Sequence, residues 1–306
     1  MGLAGVVTCA AGLTVTGRDA PLRPGAPRTR LLVGPVGPVV LPEAPPMEAH
    51  RGDGHVWRRH WASDGRLIVD FVDIARVSVG ADGTVTFDRT LDPELEEHLL
   101  FDHILPLVLA GDGHLVLHGG IISLAGRGVA LIGSSGAGKS TLTGFSWRHG
   151  WTVGNDDGVV LSPAPQPSAE PTYTTLRLTP AGAELVGIDV ADTSPVVGKL
   201  RLDGRTGSPF RQEPVPLRVV AVIEPDELAA EASFEPLSGM DAHAELFGST
   251  FHSDFARDQR LPQVLSGLAN IIESSSIGRL RVPRGRSGLA STELLLRSLL
   301  DQLAGP

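Results

Sequence analysis

The spacing of apolar and polar positions changes character once along the chain. Up to about residue 90 it is the period-two pattern of half-buried strands. Leu13-Thr14-Val15-Thr16 alternates ahead of Gly17-Arg18 and predicts a first strand or hairpin. Residues 18–56 are rich in Pro, Gly and Arg, which predicts irregular structure with short strands. Their apolar stretch is Leu31–Gly34 and Val36–Leu41, and Pro42–Pro46 reads as a loop. Arg66–Val72 and Ala75–Val79 predict strands, and Gly80-Ala-Asp-Gly83 a turn into Thr84–Asp88. The first ninety residues thus predict a small β-rich lobe.

At Asp92-Pro93-Glu94 the period lengthens. A capping carboxylate, a proline at the first helical position and acid in the first turn predict a helix start. Leu95, Leu99, Ile104 and Leu105 form its buried stripe up to Gly111, and Pro106 should bend or shorten it. His114–Gly120 predicts a strand with Ile121–Ala125 as its hairpin partner, and Gly126-Arg-Gly128 a turn into a buried strand, Val129–Ile132. Ser140–His149 predicts a helix. Further strands are predicted at Trp151–Val153, Val159–Leu161, Thr174–Leu178, Val215–Ile223 and Arg279–Val282. Helices are predicted from Thr179-Pro180 to Gly187, over Glu245–Arg260 and Leu261–Ile272, and over Ser291–Leu303. Pro163–Pro171 reads as a proline-rich loop, and 189–214 as loop-rich with an alternating Gly198–Leu202. Strands interleaved with helices put this part in the α/β class. The domains expected are 1–90, the β-rich lobe, and 91–306, an α/β domain.

Composition narrows the setting. A length of 306 residues suits one large domain or two modest ones. The net charge of −9 argues against a general nucleic-acid binder. Cys9 is the single cysteine, so no internal disulfide framework is expected and a reducing cytoplasm fits. No apolar run reaches the length of a membrane span. The apolar N-terminus lacks the positive stretch of a signal peptide, and Val6 stands where a myristoylation motif wants Ser or Thr.

The chemistry centres on Gly133-Ser134-Ser135-Gly136-Ala137-Gly138-Lys139-Ser140, followed by Thr141. It fits the phosphate-loop pattern G-x-x-x-x-G-K-[ST], between a predicted strand and a predicted helix. Gly133, Gly136 and Gly138 let the backbone curl so that its N–H groups converge on a polyphosphate. The helix N-terminus adds partial positive charge there. Lys139 would neutralise the terminal phosphates, and the Ser140 hydroxyl would ligate Mg²⁺. Lysine is otherwise found only at Lys199, although arginine is abundant.

Asp156 and Asp157 follow one helix and one strand later, so the connection returns them beside the loop. Alone, Asp-Asp-Gly is a turn signal. Beside a phosphate loop, one carboxylate can hold Mg²⁺ and the other can take a proton from an attacking hydroxyl. His118 precedes the loop at the end of the strand expected to pair with the loop strand, where it could contact phosphates or bond to backbone.

His118-Gly119, Gly133–Ser140 and Asn155-Asp156-Asp157, at these separations, resemble the catalytic domain of the HPr serine kinase/phosphorylase family, whose core resembles phosphoenolpyruvate carboxykinase. The likeness is good from about residue 114 to 161 and loose over 170–306. The first ninety residues are more similar to stand-alone HPr-kinase-like proteins, some of which accompany peptide natural-product pathways. The resemblance implies a phosphate-loop kinase core, a mixed sheet with flanking helices. It implies ATP and Mg²⁺ as cofactors and a homo-oligomer. It gives Lys139 to the β/γ-phosphates, Ser140 to the metal, Asp157 the role of general base, and Asp156 that of assisting the metal or orienting its neighbour. His118 becomes a catalytic-site residue. Glu184 is the nearest candidate for a second acidic metal ligand, a partial fit, and its helical setting favours a surface carboxylate. Arg177, Arg201 and Arg211 are candidates for a phosphate-transfer arginine. Val282–Ser287 resembles a short family segment linked to phosphorolysis.

Three functions compete. The first is an ATP/Mg²⁺-dependent kinase acting on a hydroxyl of a peptide, protein or small molecule. The second is a phosphate-loop ATPase or GTPase, for which Glu224 after Val219–Ile223 superficially offers the metal acid. The third is a nucleotide-dependent binding module. No nucleic acid or membrane partner is expected. Arg177, Lys199, Arg201 and Arg284–Arg286 are candidates for an acceptor pocket, or simply surface cations.

Overall fold

A computed structural model describes residues 7–8, 14–16, 30–46, 48–52, 55–63, 65–163, 166–170, 175–189, 194–196, 199–203, 213–251 and 257–303. The main division between its two compact units falls between Asp112 and Gly113. That lies beyond the boundary expected near residue 90, and it leaves the first helices with the N-terminal unit.

In the first unit the described strands are β1 (Val7–Thr8), β2 (Thr14–Thr16), β3 (Arg30–Val33), β4 (Glu48–Gly52), β5 (His55–Ser63), β6 (Arg66–Phe71), β7 (Ala75–Val79) and β8 (Thr84–Phe87). They form one sheet in the order β1-β2-β3-β8-β7-β6-β5-β4. The antiparallel pairing of β1 with β2 is the hairpin expected at the N-terminus. Leu67, Val69, Phe71, Val77, Val79, Val85 and Phe87 are buried. The Gly80–Gly83 turn forms as expected. Gly83 takes a φ of 80°, and Asp82 Oδ1 accepts from the Thr84 N–H at 2.9 Å.

Helix α1 (Pro93–Leu99) starts where the sequence said, with Asp92 Oδ1 accepting from the Glu94 N–H at 2.9 Å. Pro106 does not end the helical run. A π-helical turn, Leu100–Ile104, leads into α2 (Leu105–Gly111) instead. Proline offers no N–H to the carbonyl four residues back, and the turn widens to accommodate it.

The second unit carries β9 (Leu115–Leu117), β10 (Gly119–Leu124), β11 (Arg127–Ile132), α3 (Lys139–Arg148), β12 (Thr152–Asn155), β13 (Val159–Ser162) and β14 (Ser168–Glu170). Then come β15 (Thr175–Leu178), α4 (Pro180–Val186), β16 (Ser194–Val196), β17 (Lys199–Asp203) and β18 (Val215–Asp226). The chain closes with β19 (Ser233–Pro236), α5 (Gly239–Gly248), α6 (Arg257–Ser274), β20 (Ser276–Pro283) and α7 (Gly285–Gln302). The large mixed sheet runs β12-β10-β11-β18-β14-β13-β9, with β20 on β18 and β19 on β20. Strands β15, β17 and β16 form a separate small sheet.

Strand β11 is buried on both faces, as its unbroken apolar run requires. Val129 and Leu131 join a core with Leu142 and Phe145 of α3, Val186 of α4 and Leu296 of α7. Ala130 and Ile132 face a second core with Leu246 of α5 and Ile271 of α6. Helices therefore cover both faces of a mixed sheet, and the unit is α/β.

One expected hairpin is absent. Strand β9 does not pair with β10; it pairs with β13, while β10 lies between β11 and β12. The glycine after His118 serves close packing rather than a turn: a Cβ at Gly119 would stand 2.4 Å from the Leu131 carbonyl oxygen.

Candidate active site

The loop Gly133–Ser140 leaves the carboxyl end of β11 and enters α3. At its start a Cβ on Gly133 would come 3.0 Å from the Ile223 carbonyl oxygen, so glycine lets the loop pass β18. Gly133, Gly136 and Gly138 take φ values of 138°, 80° and 95°. These conformations are open to glycine and strained for other residues. Around Gly136 and Gly138 the space a Cβ would enter is open. Ser134, Ser135 and Gly136 are exposed, Ala137 is buried, and Ser140 and Thr141 are half-buried at the start of α3. A backbone curl opening on a helix N-terminus, with Lys139 and Ser140 behind it, fits a nucleotide polyphosphate.

Lys139 is buried, and its Nζ donates to the carbonyls of Gly133 (2.7 Å) and Ser134 (2.9 Å). Burial lowers its pKa, and the charges of Asp157 and Asp156 act against that. Lys199, on β17, is felt here too: its charge lowers Lys139 and favours the ionised form of Asp156. Both lysines of the chain thus act on one site.

The register brings the acids to the same end. Gly119 pairs with Ile132 and Ile121 with Asn155, so the carboxyl ends of β11 and β12 share one edge. Asn155 stabilises the turn that follows by donating to the Gly158 carbonyl. Ser140 Oγ donates to Asp156 Oδ1 at 3.0 Å, and the Arg177 backbone N–H donates to Asp156 Oδ2 at 3.2 Å. Asp156 is 1 % exposed. Burial first, and the Asp157 charge second, push its carboxyl up to about 7. Asp157 has a φ of 77°, in the left-handed region that aspartate enters more readily than most residues with a side chain. Arg177 Nη2 donates to Asp157 Oδ2 at 2.9 Å.

The two carboxylates are therefore in different settings. Asp156 is sealed against the Ser140 hydroxyl, where a loop-bound cation would be held. Asp157 is more open and is aimed by a guanidinium. A buried, paired arginine holds a carboxylate in a fixed direction.

Among the candidate arginines, the structure brings Arg177 to the acids. Arg201 lies directly opposite it in the β15–β17 pairing. Arg211 lies outside the described residues. Nothing in the sequence singled out Arg177, because its role depends on the small sheet delivering β15 to the Asp-Asp turn. His118 sits one residue before the Gly119–Ile132 pair, at the same strand ends as the loop. Its backbone N–H donates to the Ser249 carbonyl at 2.7 Å, and its ring packs edge-on to Phe251, centroids 5.8 Å apart. Glu184 is exposed on α4, and no bond joins it to Ser140, Asp156 or Asp157. Helix α4 itself forms as expected, with Thr179 Oγ1 accepting from the Gly182 N–H at 3.0 Å and Gly187 in the left-handed conformation. Glu224 ends near the loop strand but is engaged by Arg279 at 3.1 Å. Arg284 is paired with Glu227.

No protein-family profile and no curated protein matches the chain. Among solved structures, it is similar to the Hpr(Ser) kinase/phosphatase from Coxiella burnetii. The two are 12 % identical, with a TM-score of 0.35, and the match covers 62 % of this chain and 99 % of that one. No helix among the described residues is long and apolar enough to cross a membrane.

Proposed function

We propose that this chain is an ATP- and Mg²⁺-dependent kinase that phosphorylates a hydroxyl, with Asp157 as general base. The supporting observation is one bonded series beside Lys139: Ser140 to Asp156, Asp156 to the Arg177 backbone, and the Arg177 side chain to Asp157. A nucleotide–Mg²⁺ complex supplies the transferable phosphoryl group and neutralises its charge. The loop amides and Lys139 bind and orient the terminal phosphates. Ser140 and Asp156 are the metal ligands. Asp157 accepts the acceptor's hydroxyl proton on a carboxylate oxygen, and Arg177 keeps that oxygen pointed at it. Catalysis is then positioning and charge neutralisation. Lys199 and Arg201 lie on the strand beside Arg177 and suit an acceptor carrying negative charge. A cytoplasmic setting, with ATP and Mg²⁺ at hand, goes with this reading.

The test is mass spectrometry of products after incubating the full chain with ATP, Mg²⁺ and candidate acceptors. The peptides and metabolites produced by neighbouring genes are the first acceptors to try. A kinase consumes ATP in proportion to a hydroxyl acceptor. Hydrolysis indifferent to acceptor means an ATPase, and binding without turnover means a binding module. Lys139→Ala should abolish nucleotide-dependent activity. Asp157→Asn should lower transfer by about 10²–10⁴-fold, with nucleotide affinity changed only a few-fold. Normal turnover in Asp157→Asn would remove the base assignment.

A further inference from the structure

We propose a metal site in the first unit, formed by His98, Asp102 and His103 and suited to a zinc-type divalent ion. It starts from Pro106. The carbonyl that its missing N–H would have served belongs to Asp102. The helix opens there to i→i+5 bonding, and the Leu105 N–H reaches the Leu100 carbonyl. On an ordinary α-helix the neighbours of residue 98 are three and four positions on. The wider turn returns residue 103 to residue 98 as well. The imidazole rings of His98 and His103 lie with centroids 5.2 Å apart and planes at 78°. His98 Nδ1 is 2.6 Å from Asp102 Oδ2. One ligand atom from each of the three residues falls within 4.8 Å of the others.

The surroundings favour a cation. Asp102 is 5 % exposed, and a carboxylate withdrawn from water needs positive charge beside it. A protonated His98, 2.6 Å away, can supply that charge, and so can a divalent ion that takes the imidazole lone pairs. His103 is fixed from behind by aromatic rings, Trp57 at 5.1 Å and Phe71 at 5.6 Å between centroids. His98 keeps 20 % of its side chain exposed, which leaves a path for an ion. Two imidazole nitrogens and one carboxylate oxygen are a common zinc donor set, with coordination left open to solvent or another ligand. The site shares no residue with the Ser140–Asp156 pair.

The experiment uses the full chain carrying Asp156→Asn, which removes the loop-side cation ligand, stripped of metal with a chelator. Zn²⁺ is titrated in competition with a coloured chelating indicator, and Co²⁺ is followed by its visible absorption. One equivalent of Zn²⁺ should bind, and Co²⁺ should give ligand-field bands. Asp102→Asn and His103→Gln should each weaken binding by at least about tenfold. Pro106→Ala should weaken it as well, although all three ligands remain. No uptake, or equal uptake by Asp102→Asn and His103→Gln, overturns the site. Should those variants fail to fold, ¹⁵N spectra of the imidazoles in the parent protein decide. Zn²⁺ must shift the ring nitrogens of His98 and His103, and unshifted rings overturn the proposal.

Discussion

Asp156 shows how one buried carboxyl links stability to chemistry. Its pKa is raised from an ordinary 3.8 to about 7. The folded protein therefore holds a proton that the unfolded chain releases, and stability falls as pH rises from about 4 to about 7. Above that range the full cost persists. Metal-free protein should melt at progressively lower temperature across this window. Asp156→Asn cannot ionise, so it should flatten the slope and raise the melting temperature at pH 8. On the proposed metal role, Mg²⁺ should raise the melting temperature of the parent protein and leave that of this variant unchanged. An unchanged pH slope would mean another group is responsible. Arg177 allows a second test. Arg177→Lys keeps the charge but not the Nη2 bond to Asp157. Turnover should fall by about 10²-fold while nucleotide KM stays within a few-fold, because aim rather than binding is lost. An equal loss in both would place Arg177 on the nucleotide instead. At this scale the sequence exposed what is local. The loop and the acid pair could be placed together from their spacing, whereas His118 is bonded through its backbone N–H to the Ser249 carbonyl and Arg177 was one of three arginines until β15 met the Asp-Asp turn.

Elements were legible where polarity follows burial. Strands β6 to β8, the Asp92 cap and helix α4 stand out because apolar residues occupy the buried positions. Strand β5 did not, because its inward positions include Arg58 and His60, both buried. Alternation is present there, but polar side chains carry it. The His118-Gly119-Gly120 stretch was misread for a related reason. Glycine marks turns, yet here it marks strands packed too closely for a side chain. Gly288 makes the same point on α7. A Cβ there would stand 2.1 Å from the Pro283 carbonyl oxygen, a backbone atom that cannot swing away. Gly288→Ala should cost about 1–3 kcal/mol in chemical denaturation. Gly248→Ala, at the end of α5 with open space around it, should cost nothing measurable. Helix propensity alone favours alanine over glycine, so equal losses in the two would show that the close approach of α7 to β20 does not set the effect.

For the whole molecule, the two proposed ligands fall in different units and share no residue. A ligand that binds only the folded state stabilises it by about 2.7 kcal/mol at one hundred times its Kd. Each ligand should slow hydrogen exchange most in the elements it ties together. ATP with Mg²⁺ should protect 129–145 and the Asp-Asp turn, because β11, the loop, α3 and the end of β12 converge on one cluster. Peptides spanning 93–111 should be unchanged. Zn²⁺ should do the reverse, protecting 93–111 through the widened turn and leaving 129–145 untouched. Two opposite patterns from one protein would separate the assignments. Protection of the loop by Zn²⁺ would mean that Asp156 and Ser140 had captured the ion. Protection of 93–111 by ATP with Mg²⁺ would mean that nucleotide binding reaches the first unit, and the sites could no longer be treated as independent. Lys139→Ala should erase the first pattern and His103→Gln the second, each leaving the other intact.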